Sequence, residues 1–180
     1  MNEQRPDSSV LRFCKLEGAG NDFILLNAAL LRGSPDPGEL ARRLCKRRTS
    51  VGADGLITVE AVSACGADVR ARFWNPDGEE VATCGNGTRC AARFAVLENM
   101  APPEMVIDTA SGHIAGRVSG LTVTLRYSAE PTVELSATVT TPGGSRSGHR
   151  VEIGNPHFII QLEQLPDGPI EAECRPLRYA

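Results

Sequence analysis

"CGNGTRCAARFAVL", residues Cys84 to Leu97, sets a Gly-Asn-Gly turn directly ahead of a helix-forming run. Between Cys90 and Leu97 only Arg93 breaks the apolar sequence, and Arg89 precedes it. A helix that is apolar on nearly every side belongs inside a protein, not on its surface. "APP" at 101–103 stops it, because proline cannot continue a helix. The segments on either side read mainly as strands. The expected architecture is therefore of the α+β class, an antiparallel-rich mixed sheet wrapped around this central buried helix.

Working outward, "LRFCKL" (11–16) and "DFILLN" (22–27) are strands on either side of the glycine-rich turn "EGAGN". "GELARRLCKRR" (38–48) is a second helix, amphipathic, with Leu40, Leu44 and Cys45 on one face and basic residues opposite. "GLITVE" (55–60) and "ADVRARFW" (67–74) are strands, the second alternating Val69, Ala71 and Phe73 with arginines. "NPDG" (75–78) is a turn. After the buried helix come "EMVIDT", "HIAGRV", "LTVTLR", "TVELSATV" and "RVEIG" as strands, with "TPGGSRSGHR" (141–150) as a loop.

The chain has 180 residues, 41% hydrophobic and 23% charged, which is globular composition. A net charge of −3 argues against nucleic acid as a partner, and the basic run at 42–48 reads as a solvated helix face. No apolar run is long enough to cross a bilayer, so no membrane partner is expected. "MNEQRPDSSV" (1–10) has neither the basic start nor the apolar centre of a signal peptide and reads as a flexible polar tail. Cytoplasmic location follows, with the six cysteines as free thiols. None forms a C-x-x-C pair and the three histidines have no ligand spacing, so no metal is expected.

Cys84 stands at the head of the buried helix. The first helical turn has unpaired N–H groups and the positive end of the macrodipole, and both stabilise an anion. A thiol there loses its proton more readily than a free one. Gly85 and Gly87 let a ligand approach those N–H donors. Two readings stay open for Cys84 at this level: a small apolar residue under a helix, or a reactive thiolate. A phosphate loop is disfavoured, since the third glycine of G-x-G-x-x-G is missing. Asn21, Asn75, Asn86 and Asn155 are amides on loops, and His157 follows in "GNPHF". Such a set suits a zwitterionic ligand with carboxylate and ammonium groups.

"GAGNDF" (18–23), "GADG" (52–55), "FWNPDGEEVATCGNGTRCAARF" (73–94) and "GNPHF" (154–158), in this order, resemble diaminopimelate epimerase. The resemblance runs from about Leu11 to the end of the chain. It implies a cofactor-independent isomerase that interconverts LL- and meso-diaminopimelate, on the route to lysine and cell wall. In that family two cysteines face the substrate α-carbon from opposite sides, one removing a proton and the other returning one. Carried over, Cys84 is one of the two, and His157 lies beside the reacting centre. Gly85 and Asn86 hold substrate at the helix start, while Asn21, Asn75 and Asn155 bind its polar groups. A homodimer is also expected.

Members of the family are longer, with a second pseudo-symmetric domain that supplies a Glu-Arg pair and the other cysteine in a glycine turn. Here Cys174 is followed by Arg175 and Pro176, and Cys65 in "ACGAD" does not open a helix. The resemblance thus implies a tail over 1–10, a first epimerase-like domain over 11–117 and a partial second over 118–180. Impaired turnover by these 180 residues is the corresponding expectation. Two other functions remain in view: a racemase or isomerase of the same fold acting on another small substrate, and a non-catalytic ligand-binding remnant.

Overall fold

The continuous apolar run of "DFILLN" finds its explanation in a strand buried on both faces. In the computed structural model, which describes residues 10–31, 36–63, 66–164 and 167–180, β1 (Cys14–Gly18) pairs antiparallel with β2 (Asn21–Asn27). β2 in turn pairs parallel with β3 (Gly55–Ala61). Alternate side chains of β2 then enter different cores. Phe23 and Leu25 join one apolar cluster, Ile24 and Leu26 the other, and all four are buried.

The smaller cluster is closed by α1 (Pro37–Leu44), whose Leu40 and Ala41, with Cys45 beyond its end, pack on Ile24, Leu26 and Leu56. Asp36 caps it, accepting from the N–H groups of Gly38 (2.9 Å) and Glu39 (3.2 Å), with Pro37 in the first turn. The helix ends earlier than residue 48. Gly52 and Ala53 return to donate to the carbonyls of Leu44 and Cys45, and Arg48 takes a positive φ of 71°.

The larger cluster surrounds α2 (Gly85–Leu97). The main sheet runs β1-β2-β3-β4-β6-β7-β8, where β4 is Val69–Trp74, β6 Glu104–Thr109, β7 Gly112–Ser119 and β8 Thr122–Tyr127. The short β5 (Glu80–Val81) pairs with β4. Among the described residues only the β2–β3 and β4–β6 pairings are parallel. α2 touches all seven strands of this path, so the sheet curls around the helix. Cys90, Ala91, Ala92, Phe94 and Ala95 are buried in it, and Leu97 at the end is exposed. The fold has the expected class.

On the outer face of β4, Arg70 and Arg72 converge on Asp108 of β6, at 2.7 Å and 3.5 Å. At the opposite end, Asp22 is held by Arg47 Nη2 at 2.6 Å and Lys15 Nζ at 2.9 Å. The Arg47 hydrogen bond, followed by Lys15, keeps the Asp22 carboxyl well below the usual aspartate range. Because the folded value is the lower one, Asp22 contributes stability that is present above its unfolded value, about 3.9, and lost as pH falls towards the folded one. Replacing Asp22 with asparagine is expected to flatten the loss of stability below about pH 4, read by urea titration at a series of pH values.

β8 pairs with β7 along its whole length, which carries the first compact unit to Ser128, past the expected boundary at 117. The second unit, from Ala129, holds β9 (Thr132–Thr141), β10 (Gly144–Ile153) and β11 (Asn155–Ile159) in an antiparallel sheet ordered β11-β10-β9. α3 (Ile170–Arg178) packs on β9. Here the sequence misleads at two places. Residues 141–150, expected as a loop, form a tight turn and then most of β10, Gly144 taking a φ of 113° opposite Thr141. α3 was not expected, because it contains Pro176 and lacks a side-chain cap. The expected tail over 1–10 falls outside the described residues except for Val10, and Cys65 lies outside them too.

Candidate active site

The turn into α2 builds the site. Cys84 is extended, with φ −144° and ψ 117°, and its Sγ accepts from the Gly87 N–H at 3.4 Å. Its carbonyl accepts from the Thr88 N–H (2.7 Å) and the Thr88 hydroxyl (2.9 Å), which locks the first turn. A sulfur occupies the place where serine or aspartate usually caps a helix. Gly87 is required for a packing reason: a Cβ there would lie 3.1 Å from Ile57 Cδ1 and from two ring atoms of Phe73. At Gly85 a Cβ would lie 3.1 Å from the Tyr127 hydroxyl.

Cys84 is half-buried and opens on a cleft of about 150 Å³. Asn21, Asp54 and Asn75 supply the polar part of its wall, Phe73 and Trp74 much of the apolar part. The structure therefore brings together Asn21, Asn75 and Cys84, which lie far apart in sequence. Gly85 and Asn86 follow Cys84 in the helix. Asn86 does not line the cleft; its Nδ2 donates to Asn21 Oδ1 at 2.7 Å and its Oδ1 accepts from Arg89. Asn155 and His157 lie on β11 of the second unit, Asn155 half-buried and His157 exposed opposite Val151.

Three participants escaped the sequence reading. Asp54 accepts from Asn21 Nδ2 (3.3 Å) and from the Asp22 N–H (3.2 Å), while Arg47 Nη2 grips it at 2.8 Å. It stands in "GADG", just ahead of β3. Arg89 is the second. Tyr127 at the end of β8 is the third; burial pushes its hydroxyl above the usual tyrosine range, Arg89 opposing and Cys84 adding to the shift.

The other thiols differ from Cys84 in their surroundings. Burial pushes Cys90 up to about 11 and Cys45 to about 11, and Cys14 is also raised by burial. At pH 8 a thiol of that value is about one part in a thousand thiolate. Brief treatment with iodoacetamide is expected to label Cys84 and the exposed Cys174 while sparing Cys45 and Cys90, as peptide mass spectrometry would read. Among the described residues no group of three or more His, Cys, Asp or Glu is arranged to hold a metal, and no helix is long and apolar enough to cross a membrane.

Comparison with known proteins adds to this geometry. The sequence profile described as Diaminopimelate epimerase matches residues 13–127. Diaminopimelate epimerase of Hydrogenobaculum sp. (strain Y04AAS1) is 33% identical over 179 residues, covering 92% of this chain and 63% of that protein. The enzyme of Moorella thermoacetica (strain ATCC 39073 / JCM 9320) is 35% identical over 181 residues, covering 89% and 63%. This chain thus spans about 63% of the length of these curated relatives. Among solved structures, a hydroxyproline epimerase from Agrobacterium vitis with bound trans-4-hydroxy-L-proline shares the fold. Its TM-score is 0.60 at 16% identity, over 78% of this chain and 48% of that one. With the profile match extending from β1 to the end of β8, the chain belongs to the diaminopimelate epimerase family.

Proposed function

We propose that this chain provides one of the two acid–base thiols of a cofactor-independent epimerase acting at the α-carbon of diaminopimelate. The observation that carries the reading is the position of Cys84, which caps α2 and lines the same cleft as Asn21 and Asn75. The N–H of Gly87 points at that sulfur, a bond that a thiolate accepts better than a thiol. As base, the thiolate takes the α-hydrogen of the bound amino acid. Charge then moves onto the adjacent carboxylate, and fixed N–H donors of a helix start stabilise it without reorganising. Phe73 and Trp74 keep water from the developing carbanion.

Asn21 and Asn75 bind polar groups of the substrate in this reading, with Asn86 acting on Asn21. Asn155 and His157 keep the roles that family resemblance gives them. Inversion in this reading also needs a second acid on the opposite face of the α-carbon. The same reading carries a cytoplasmic location, consistent with the free cysteines, a homodimer, and no nucleic-acid or membrane partner.

A racemase of the same fold with another substrate, or a domain that only binds, would use the same cleft. Labelling of Cys84 by iodoacetamide in the presence of candidate ligands separates them. Diaminopimelate is expected to slow labelling, with lysine, proline and trans-4-hydroxyproline much weaker. Equal protection by proline, or none by diaminopimelate, contradicts the proposal.

A further inference from the structure

An asparagine side chain can turn about its last bond and exchange donor for acceptor with little change of shape. Two such amides touch at this site, and something must decide which way they face. Asn21 Nδ2 donates to Asp54 Oδ2 at 3.3 Å, Asn21 Oδ1 accepts from Asn86 Nδ2 at 2.7 Å, and Asn86 Oδ1 accepts from the Arg89 guanidinium. A carboxylate has only acceptors and a guanidinium only donors. Neither end of this chain of bonds can reverse, so each bond between them has a single allowed polarity.

The acidic end is itself held. Asp54 Oδ1 accepts from Arg47 Nη2 at 2.8 Å, and Oδ2 also accepts from the Asp22 N–H at 3.2 Å. Asp22 Oδ1 accepts in return from the Asp54 N–H at 3.1 Å, which ties the start of β2 to the residue ahead of β3. The basic end is carried by α2, one turn beyond Cys84.

We propose that Asp54 and Arg89 are positioning residues that fix the amide orientation of Asn21 and Asn86 before any ligand arrives. Among the described residues this leaves Asn21 one N–H in a fixed direction, which a hydrogen-bond acceptor on the ligand would take. The identity of that ligand rests on the proposed function. The orientation is a property of the free chain.

Arg89→Gln puts a group that both donates and accepts at the basic end, and Arg89→Lys keeps a pure donor. Side-chain amide signals of Asn21 and Asn86, observed by ¹⁵N NMR in the ligand-free protein, report the outcome. In Arg89→Gln the engaged protons of both amides are expected to exchange faster with solvent, including those of Asn21, which Arg89 does not touch. Arg89→Lys should restore slow exchange at both. Protection of Cys84 by diaminopimelate should weaken about tenfold in Arg89→Gln, the loss of one oriented hydrogen bond. Asn21 signals unchanged in Arg89→Gln overturn the proposal, leaving Arg89 with a role local to Asn86. If the amides respond as expected while diaminopimelate fails to protect Cys84 even in the unmodified chain, the orientation stands and the proposed function falls.

Discussion

Replacing Cys84 with serine is expected to remove exchange of the diaminopimelate α-hydrogen with solvent while leaving the fold intact. Serine is isosteric enough to keep the cap, since its oxygen can accept from the Gly87 N–H as the sulfur now does at 3.4 Å. What it cannot do is act as a base near neutral pH. General-base catalysis by a positioned group contributes about 10²–10⁴-fold, and a loss of that size is expected in the exchange rate. Binding should change little, because the Asn21, Asn75 and helix N–H contacts remain. Protection of the protein against heat or urea by diaminopimelate would measure that. A serine variant that exchanges the α-hydrogen as fast as the parent removes Cys84 from the chemistry. Loss of both exchange and folding would instead mark a structural cysteine.

The second large effect concerns the fold. Phe94 lies on α2 where the helix meets the curled sheet, and it is 3% exposed. Truncation to alanine is expected to cost about 3–5 kcal/mol through lost burial and the cavity left behind. Leu97, three residues on, is 48% exposed. There the same truncation should stay within about 0.5 kcal/mol, as for surface positions generally. Urea unfolding of the two variants tests the claim that the sheet surrounds α2 rather than flanking it. Equal costs at the two positions would show that the helix does not sit as described.

These two residues also mark what the sequence could reveal. An apolar run with arginines only at 89 and 93 forces burial, and burial of a helix among strands forces the sheet to curl. Leu97 belonged to that run in the sequence, yet it falls at the last position of α2, where the helix leaves the sheet. Cys84 was legible because a thiol before Gly-Asn-Gly has a local physical consequence. The contacts of Asn21 with Asp54 and Asn86 were not, because these partners lie across the fold: Asn21 is 33 residues from Asp54 and 65 from Asn86. No local pattern records such a pairing. Asn86, expected as a ligand-binding amide, also bonds through its side chain to Asn21 and Arg89. In the second unit, the 144–150 part of β10 is polar on both faces, so the period-two signal that marks a strand is missing there and backbone pairing alone defines it.

One experiment bears on the centre of the account. A polypeptide of these 180 residues, incubated with LL- or meso-diaminopimelate in deuterium oxide, should acquire deuterium at one α-carbon with configuration retained. Mass spectrometry reads the label and chiral chromatography the configuration. Absence of exchange with either isomer contradicts Cys84 as the base that removes the α-hydrogen, and complete inversion by this polypeptide contradicts the need for a second thiol beyond it.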